Sequence, residues 1–270
     1  ALTINRKIGH KGGEATNLGN IGLILADEGY LDKGRQFIEK SLEIHSEINQ
    51  IQGKASNLGN IGIILRRQGE FEQALKYHHQ ALTLHQKLKS KMGEASDLGN
   101  IGLILRERGD LDKALNHLET ALEICRDISY RQGEASALGN IGLIYSEKGN
   151  PDSALRYHQE ALKIHCLIGY KQGEANQLGN IARIYRTLGE TALALSYLQK
   201  ALTMHRQTGS KQGEVNQLIS LGFINTTLGQ TSEGLQYLKD ALKIMQEYKL
   251  HRGKALVQQA INSLEKEGRI

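Results

Sequence analysis

The sequence predicts an all-α fold, a solenoid of antiparallel helix pairs packed side by side. The first observation is a period, because a glycine returns every 40 residues without insertion or deletion, at Gly13, Gly53, Gly93, Gly133, Gly173, Gly213 and Gly253. The second is that apolar residues inside each period follow the 3.6-residue spacing of amphipathic helices and do not alternate as in strands. A strict period of this size indicates one helical hairpin stacked on copies of itself.

Residues 1–12 are predicted to be the remnant of a second helix, because residues 1–4 (ALTI) match residues 81–84 (ALTL) of a later period. The first helix of that unit and an initiator methionine are both lacking, so we expect a fragment with further repeats upstream. We also expect that such a half-built unit can self-associate at the N-terminus.

Six units follow over residues 13–252, starting at residues 13, 53, 93, 133, 173 and 213. In the unit from residue 93, Leu98 and Leu105 lie on the apolar face of the first helix, and the second helix carries a broad apolar stripe. Gly109 between them is typical of the residue that follows a helix C-terminus, which predicts that the second helix begins at Leu111 or Asp112.

The unit from residue 133 marks the same boundary with different residues. Asn150 suits an N-cap, and Pro151, the only proline in the chain, suits the first helical position. The sequence therefore predicts that no other helix is interrupted by proline.

Residues 253–270 are predicted to form a C-terminal capping helix. Gln258 and Glu265 stand at positions that hold leucine in the unit from residue 93, and Asn262 replaces a glycine. Polar residues at these positions suit a helix on whose outer face nothing stacks.

Eight positions of the unit from residue 93 carry a recognisable signature, namely Leu98, Ile101, Gly102, Leu105, Gly109, Ala114, Leu118 and Ala121. In this signature the unit resembles the tetratricopeptide repeat, with leucine where that family usually has tryptophan. Its length is similar to the longer variety in kinesin light chains, Pins-type polarity adaptors and bacterial multidomain regulators. The resemblance implies a right-handed superhelical solenoid whose first helices line a concave groove. It also implies a scaffold for protein–protein interaction rather than an enzyme.

That resemblance places one ladder of carboxamides in the groove: Asn20, Asn60, Asn100, Asn140 and Asn180, with Ser220 in the sixth unit. Asparagine is mildly unfavourable inside a helix, so its return at one position indicates a role. A carboxamide offers both a donor and an acceptor to the backbone of an extended peptide. Hydrogen bonding between adjacent repeats is the alternative, and the two roles are compatible.

Two further rows on the first helices are candidate peptide contacts. One turn after the asparagines lies an apolar strip of Leu23, Ile63, Leu103 and Leu143, followed by Arg183 and Phe223. Exposed strips of this kind often mark interaction surfaces, and partial burial against the neighbouring hairpin is the alternative. The next row is Arg66, Arg106 and Arg186, which alternate with the acidic residues Asp27, Glu107 and Glu147. These arginines could bind the carboxylates of a partner or form ion pairs between repeats.

The remaining recurrent side chains predict no catalytic residue, no cofactor and no metal site. Histidine returns as His45, His85, His165 and His205, with Cys125 in the gap. Positions one repeat apart are separated by roughly 10 Å, whereas zinc ligands lie about 2.0–2.3 Å from the ion. We expect these side chains to be half-buried between second helices. The LGNIG glycines lie inside a helix and match neither nucleotide-binding fingerprint.

Composition restricts the partners and the location. The net charge is +5, and a basic stripe recurs as Lys11, Lys91, Arg131, Lys171 and Lys211 at the predicted turns between hairpins. A glutamate three positions after each of these residues largely neutralises the stripe, and the chain has no tryptophan and three phenylalanines, which argues against nucleic-acid binding. The absence of a long apolar run predicts no membrane span, and two isolated cysteines predict a cytoplasmic protein.

The sequence therefore predicts the repeat part of a larger regulatory protein, which binds a polypeptide in cis or in trans along its groove. A structural spacer or oligomerisation scaffold with an empty groove is the first alternative. Nucleic-acid binding through the basic edge is the second, and its affinity would fall steeply with salt concentration.

Overall fold

The computed structural model describes residues 1–251 and 253–267, and in these residues the chain is entirely α-helical with fourteen helices and no strand. The helices are α1 (Leu2–Lys7), α2 (Lys11–Asp27), α3 (Leu31–Glu47), α4 (Ile51–Gln68), α5 (Phe71–Lys87), α6 (Lys91–Glu107), α7 (Leu111–Asp127), α8 (Arg131–Glu147), α9 (Pro151–Leu167), α10 (Lys171–Thr187), α11 (Thr191–Thr208), α12 (Lys211–Thr227), α13 (Thr231–Glu247) and α14 (Lys254–Glu267). The predicted all-α fold of paired helices is confirmed. The residues group into two compact units, the first ending at Ile144 and the second beginning at Tyr145.

The turn inside each hairpin is made as predicted. Gly109 has a φ of 86°, its N–H donates to the Arg106 carbonyl, and the Asp110 N–H donates to the Leu105 carbonyl. These two hydrogen bonds form a Schellman motif, which ends α6 and allows α7 to begin at Leu111.

The second predicted boundary also forms. The Asn150 side chain accepts a hydrogen bond of 3.0 Å from the Ser153 N–H, and Pro151 occupies the first turn of α9. The N-cap satisfies one of the N–H groups that a helix N-terminus leaves free.

The first helix of each of the six repeats begins two residues earlier than the repeated glycine, whereas α14 begins one residue after Gly253. As a result the basic residues expected in turns, such as Lys91 and Lys171, are the first residues of α6 and α10. The preceding turn is completed by a residue with positive φ, which is not always glycine: Asn49, Lys89, Ser129 and Lys249 have φ between 53° and 55°. Left-handed backbone costs non-glycine residues about 1–2 kcal/mol, so sequence alone does not locate these turns.

Small residues allow the two helices of a hairpin to approach each other. A Cβ atom added to Gly102 would lie 2.7 Å from Leu118 Cγ and 3.2 Å from the Ala114 carbonyl oxygen. Ala114 and Leu118 are both fully buried. The close packing expected from the repeat signature is therefore present in the α6–α7 hairpin.

The C-terminal helix packs with one face only. Val257 and Ile261 are buried in the core of the second unit, whereas Gln258 is exposed and Glu265 forms an ion pair with Lys239. Residues 268–270 of the predicted capping segment lie outside the described residues. Across residues 1–251 and 253–267, no helix combines the length and the apolar character that crossing a membrane requires.

Candidate functional site

The asparagine ladder lies on the first helices, with Asn20 exposed and the other four asparagines half-buried. The Asn100 side chain donates to the Ser96 carbonyl at 3.0 Å, within its own helix. Among the described residues, no hydrogen bond links any of the five carboxamides to a neighbouring repeat. The ladder therefore keeps donors and acceptors that the stack of helices does not use.

Residues three positions before the ladder make buried hydrogen bonds between repeats. Asn57 Nδ2 donates to Ser41 Oγ at 2.8 Å, and Ser41 Oγ donates to the Ala15 carbonyl at 2.6 Å. In the second unit, His158 Nδ1 and Gln177 Oε1 are 2.8 Å apart. Sequence reasoning missed this row, and the available signal was a recurring polar residue between buried apolar positions.

Asp97 is the most extensively bonded member of this row. Its Oδ1 lies 3.1 Å from His78 Nδ1, and its Oδ2 lies 2.7 Å from His85 Nδ1. All three side chains are buried. Both carboxylate oxygens are thus occupied by imidazoles of the preceding second helix, which ties α5 to α6.

The repeated histidines are not half-buried between second helices, and that expectation is wrong. His45 and His205 are only 4% and 1% exposed, and they pack on the first helix of the following unit. A Cβ atom added to Gly53 would lie 2.5 Å from the His45 ring. In five of the six repeats, those that open at Gly53, Gly93, Gly133, Gly173 and Gly213, the opening glycine is small because the histidine or cysteine eight residues before it packs directly on it.

Burial also changes the pKa of two of these histidines. It lowers the pKa of His165 and of His205, and the nearby carboxylates of Glu174 and Glu214 act in the opposite direction. In the described part of the chain, no group of three histidine, cysteine, aspartate or glutamate side chains could hold a metal ion.

The α6, α7 and α8 helices enclose a cavity of about 190 Å³, and three predicted site residues line it: Asn100, Leu103 and Asn140. Ser96, Gly99, Leu118, Ala121, Cys125, Tyr130, Gly133, Ser136 and Ala137 also line the cavity, together with Ala95. The structure therefore brings one pair of ladder asparagines and one residue of the apolar strip to the same opening.

The apolar strip is half-buried at Leu23, Ile63, Leu103, Leu143 and Phe223, and Arg183 is exposed. Leu23 packs against the core of the first compact unit, and Phe223 packs against the core of the second compact unit. Partial burial accounts for part of this strip, and the remaining exposed area borders the ladder.

The arginine row forms ion pairs inside the chain. Arg66 Nη1 lies 2.6 Å from Glu107 Oε1, and Arg67 Nη1 lies 2.9 Å from Asp27 Oδ1. Arg106 and Arg183 also take part in interactions within the chain. Arg186 is exposed on α10. For Arg66 the structure favours ion pairing between repeats over a free guanidinium.

Four of the five residues of the basic stripe pair with the glutamate three positions later, whereas Lys11 lies 4.0 Å from Glu47. Lys91 Nζ lies 2.9 Å from Glu94, and Lys211 Nζ lies 3.0 Å from Glu214. Burial acts to raise the pKa of Glu214, but hydrogen bonds from Arg206 and Lys211 hold that pKa below its usual value. Glu94 and Glu214 are buried beneath the lysines, and each forms an ion pair with the basic residue three positions before it.

Comparison with solved structures shows the same fold in proteins of low sequence identity. BtubC from P. vanneervenii is 17% identical with a TM-score of 0.68, and the match covers 82% of this chain and 93% of that chain. A Rap protein complexed with Competence and Sporulation Factor is 15% identical with a TM-score of 0.71, over 93% of this chain and 74% of that chain. The Rap conjugation gene regulator of plasmid pLS20, in complex with the Phr* peptide, is 18% identical with a TM-score of 0.70, over 91% and 72%. No curated protein sequence matches the chain.

The repeat itself is recognised by its sequence. The family model described as tetratricopeptide repeat matches residues 13–87, 53–127, 94–166, 133–207 and 173–247 in overlapping pairs of units. These matches cover most of the chain, and the paired helices of the structure agree with them. The chain therefore belongs to the tetratricopeptide repeat family.

Proposed function

We propose that this protein is an interaction scaffold that binds an extended polypeptide along the first helices of the repeats in the compact unit that ends at Ile144. The ladder residues Asn20, Asn60, Asn100 and Asn140 would hold the peptide backbone. The observation that carries the proposal is that two neighbouring polar rows make different contacts. Asn57 and Asp97 join neighbouring repeats, whereas the ladder three positions later makes no bond between repeats among the described residues.

The spacing of the ladder suits an extended chain. Neighbouring rungs are roughly 10 Å apart by helix packing, and an extended chain advances about 3.3 Å per residue. Each rung would therefore meet about every third peptide residue, and four rungs would span about nine residues. Two Rap proteins with the same fold were solved in complex with Competence and Sporulation Factor and with the Phr* peptide, which supports a peptide as the class of ligand.

The other predicted contacts have different weights in this proposal. Ile63, Leu103 and Leu143 would contact apolar side chains of the peptide beside the ladder. Arg66 would bind a carboxylate of the peptide only by exchanging its ion pair with Glu107. Asn180, Arg183 and Arg186, with Arg106 in the first unit, stay as candidate contacts for the same class of ligand.

The test compares the wild-type chain with the triple variant Asn60→Ala/Asn100→Ala/Asn140→Ala in capture of polypeptides from source lysate. Capture should be lost in the variant. Its stability should not fall, because alanine is favoured over asparagine by up to about 0.7 kcal/mol per helical position. The matched control is Gln36→Ala/Gln80→Ala/Asn116→Ala, which changes exposed residues of the second helices and should capture the same partner.

Three other results would contradict the proposal in different ways. A triple variant that unfolds earlier than the wild type would show that the asparagines stabilise the stack. Equal capture by the wild type and the triple variant would place the binding site elsewhere, such as the basic edge. No capture by any folded form would favour the spacer or self-association through α1.

A further inference from the structure

The cavity between α6, α7 and α8 exists because two residues at this interface between adjacent repeats are smaller than the residues at the same positions of another interface between repeats. The corresponding interface between α11 and α12 has the same leucine on the second helix, but holds His205 and Gln217 where this one has Cys125 and Ala137. Both changes remove side-chain volume at one place. They leave Leu118 facing open space toward α8.

The glycines of the first helices show the same difference. A Cβ atom added to Gly179 would lie 3.0 Å from Gln217 Nε2, and one added to Gly59 would lie 3.3 Å from Asp97 Oδ1. A Cβ atom added to Gly99, which would face residue 137, would have no atom within 4 Å. The polar row that fills the other interfaces is interrupted here by alanine.

The cavity has an apolar floor and a polar opening. Leu118, Ala121 and Cys125 are at most 2% exposed and form the floor, whereas Asn100 and Asn140 are half-buried at the opening. Burial raises the pKa of the Cys125 thiol, with a smaller contribution from Glu134, so at neutral pH this wall is an uncharged thiol. None of the described residues that line the cavity is charged.

The volume limits the occupant to one side chain. Cavities that take drug-sized ligands have volumes of about 300–1,000 Å³, whereas an apolar cavity of about 150 Å³ binds benzene. The present cavity, about 190 Å³, therefore fits a single aromatic ring or branched aliphatic group. A charged side chain would lose its hydration in the cavity without gaining an ionic partner.

We propose that this cavity is an anchor pocket that accepts one phenylalanine- or leucine-sized side chain of the bound polypeptide, while Asn100 and Asn140 hold the backbone on either side. This inference rests on the proposed function, since the ladder supplies the backbone contacts. It also sets how the peptide aligns with the ladder, because an apolar residue of the peptide must lie between Asn100 and Asn140.

The test uses N-acetyl-phenylalanine and N-acetyl-leucine N-methylamides as probes, with the N-acetyl-lysine amide as the charged control. Methyl-labelled chain is titrated, and the NMR signals of Leu103 and Leu118 are followed. The phenylalanine and leucine probes should shift both signals, and the lysine probe should shift neither. Ala137→Gln fills the cavity with glutamine, the residue found at the corresponding position 217. It should weaken binding of the phenylalanine and leucine probes about tenfold to a hundredfold.

Two further variants keep the test decisive. Cys125→His fills the cavity from the other side with the residue found in the neighbouring repeats, so it replaces Ala137→Gln if that variant fails to fold. Ala192→Gln makes the same chemical change at an exposed position of α11 and should bind the probes like the wild type. Probes that shift neither leucine, or that still shift both after filling, would overturn the anchor pocket.

Failure of the pocket and failure of the ladder are distinguishable. A polypeptide captured by the wild type and by Ala137→Gln, but lost by the asparagine triple variant, would retain the ladder and refute the pocket. A polypeptide retained by all three would refute both. Loss in both variants, together with the probe shifts, is the expected result.

Discussion

Acidification should destabilise the second compact unit, which begins at Tyr145, through protonation of His158. This side chain is fully buried in α9, with its Nδ1 2.8 Å from Gln177 Oε1. Burial lowers the pKa of His158 to about 4, the hydrogen bond to Gln177 acts to raise it, and the charge of Arg183 lowers it further. The imidazole is therefore neutral in the folded state well below the pH at which a free histidine becomes charged.

The sign and the size of the effect follow from the two pKa values. In the unfolded chain histidine titrates near 6.5, so between pH 6.5 and pH 4 only the unfolded state takes up the proton. The stabilisation is complete above pH 6.5 and is lost as the pH falls toward the folded pKa. The full loss is about 3 kcal/mol, and about 2 kcal/mol is already lost by pH 5, where most carboxylates are still ionised. Burial lowers the pKa of His165 and His205 as well, which adds to the same trend.

The informative variant is His158→Leu, because three other repeats hold leucine at this position, as Leu118, Leu198 and Leu238. Urea unfolding followed by circular dichroism at pH 7 and pH 5 should show that the variant loses about 2 kcal/mol less stability than the wild type between these two pH values. His79→Gln, at an exposed position, should keep the wild-type pH dependence. An equal loss in His158→Leu and the wild type would refute a buried neutral imidazole at this site.

Two further predictions concern the α5–α6 interface and its glycines. Asp97→Ala should lower the free energy of unfolding by roughly 2–4 kcal/mol, because His78 and His85 each lose an acceptor in a buried site, and Asp97→Asn, which keeps one acceptor oxygen, should lose less. Equal urea midpoints for the two variants would contradict this. Gly93→Ala should destabilise by about 1–3 kcal/mol, because its Cβ would overlap the His85 ring, whereas Gly99→Ala should stabilise by up to about 1 kcal/mol, because nothing lies within 4 Å. A lower thermal unfolding temperature for Gly99→Ala would show that the cavity does not extend to Gly99, and a higher one for Gly93→Ala would contradict the overlap with His85.

Much of the fold was predictable because helix formation is local. The apolar spacing, the Schellman turn at Gly109 and the cap at Asn150-Pro151 each involve residues within a few positions of one another. Predictions failed where the local signal is weak. The turn that precedes α6 uses Lys89 with positive φ instead of glycine, so the sequence offered no marker for a helix that begins at Lys91.

The candidate site was predictable in part. The sequence placed the ladder asparagines on the first helices and the arginines beside them. It did not show that Arg66 is held by Glu107, or that Asp97 binds two histidines that precede it by 19 and 12 residues. Such partners are chosen when one hairpin packs on the next, and periodicity in the sequence does not contain that information.

By itself the sequence determined the repeat, the helical hairpin and the family, because these depend on short-range spacing that returns every 40 residues. Only the tertiary structure decided which polar row makes buried hydrogen bonds between repeats and which row makes none among the described residues. It also revealed the cavity. In the sequence Cys125 and Ala137 are two separate departures from the repeat, and packing of α7 against α8 adds their missing volumes into one space because both side chains face the same interface.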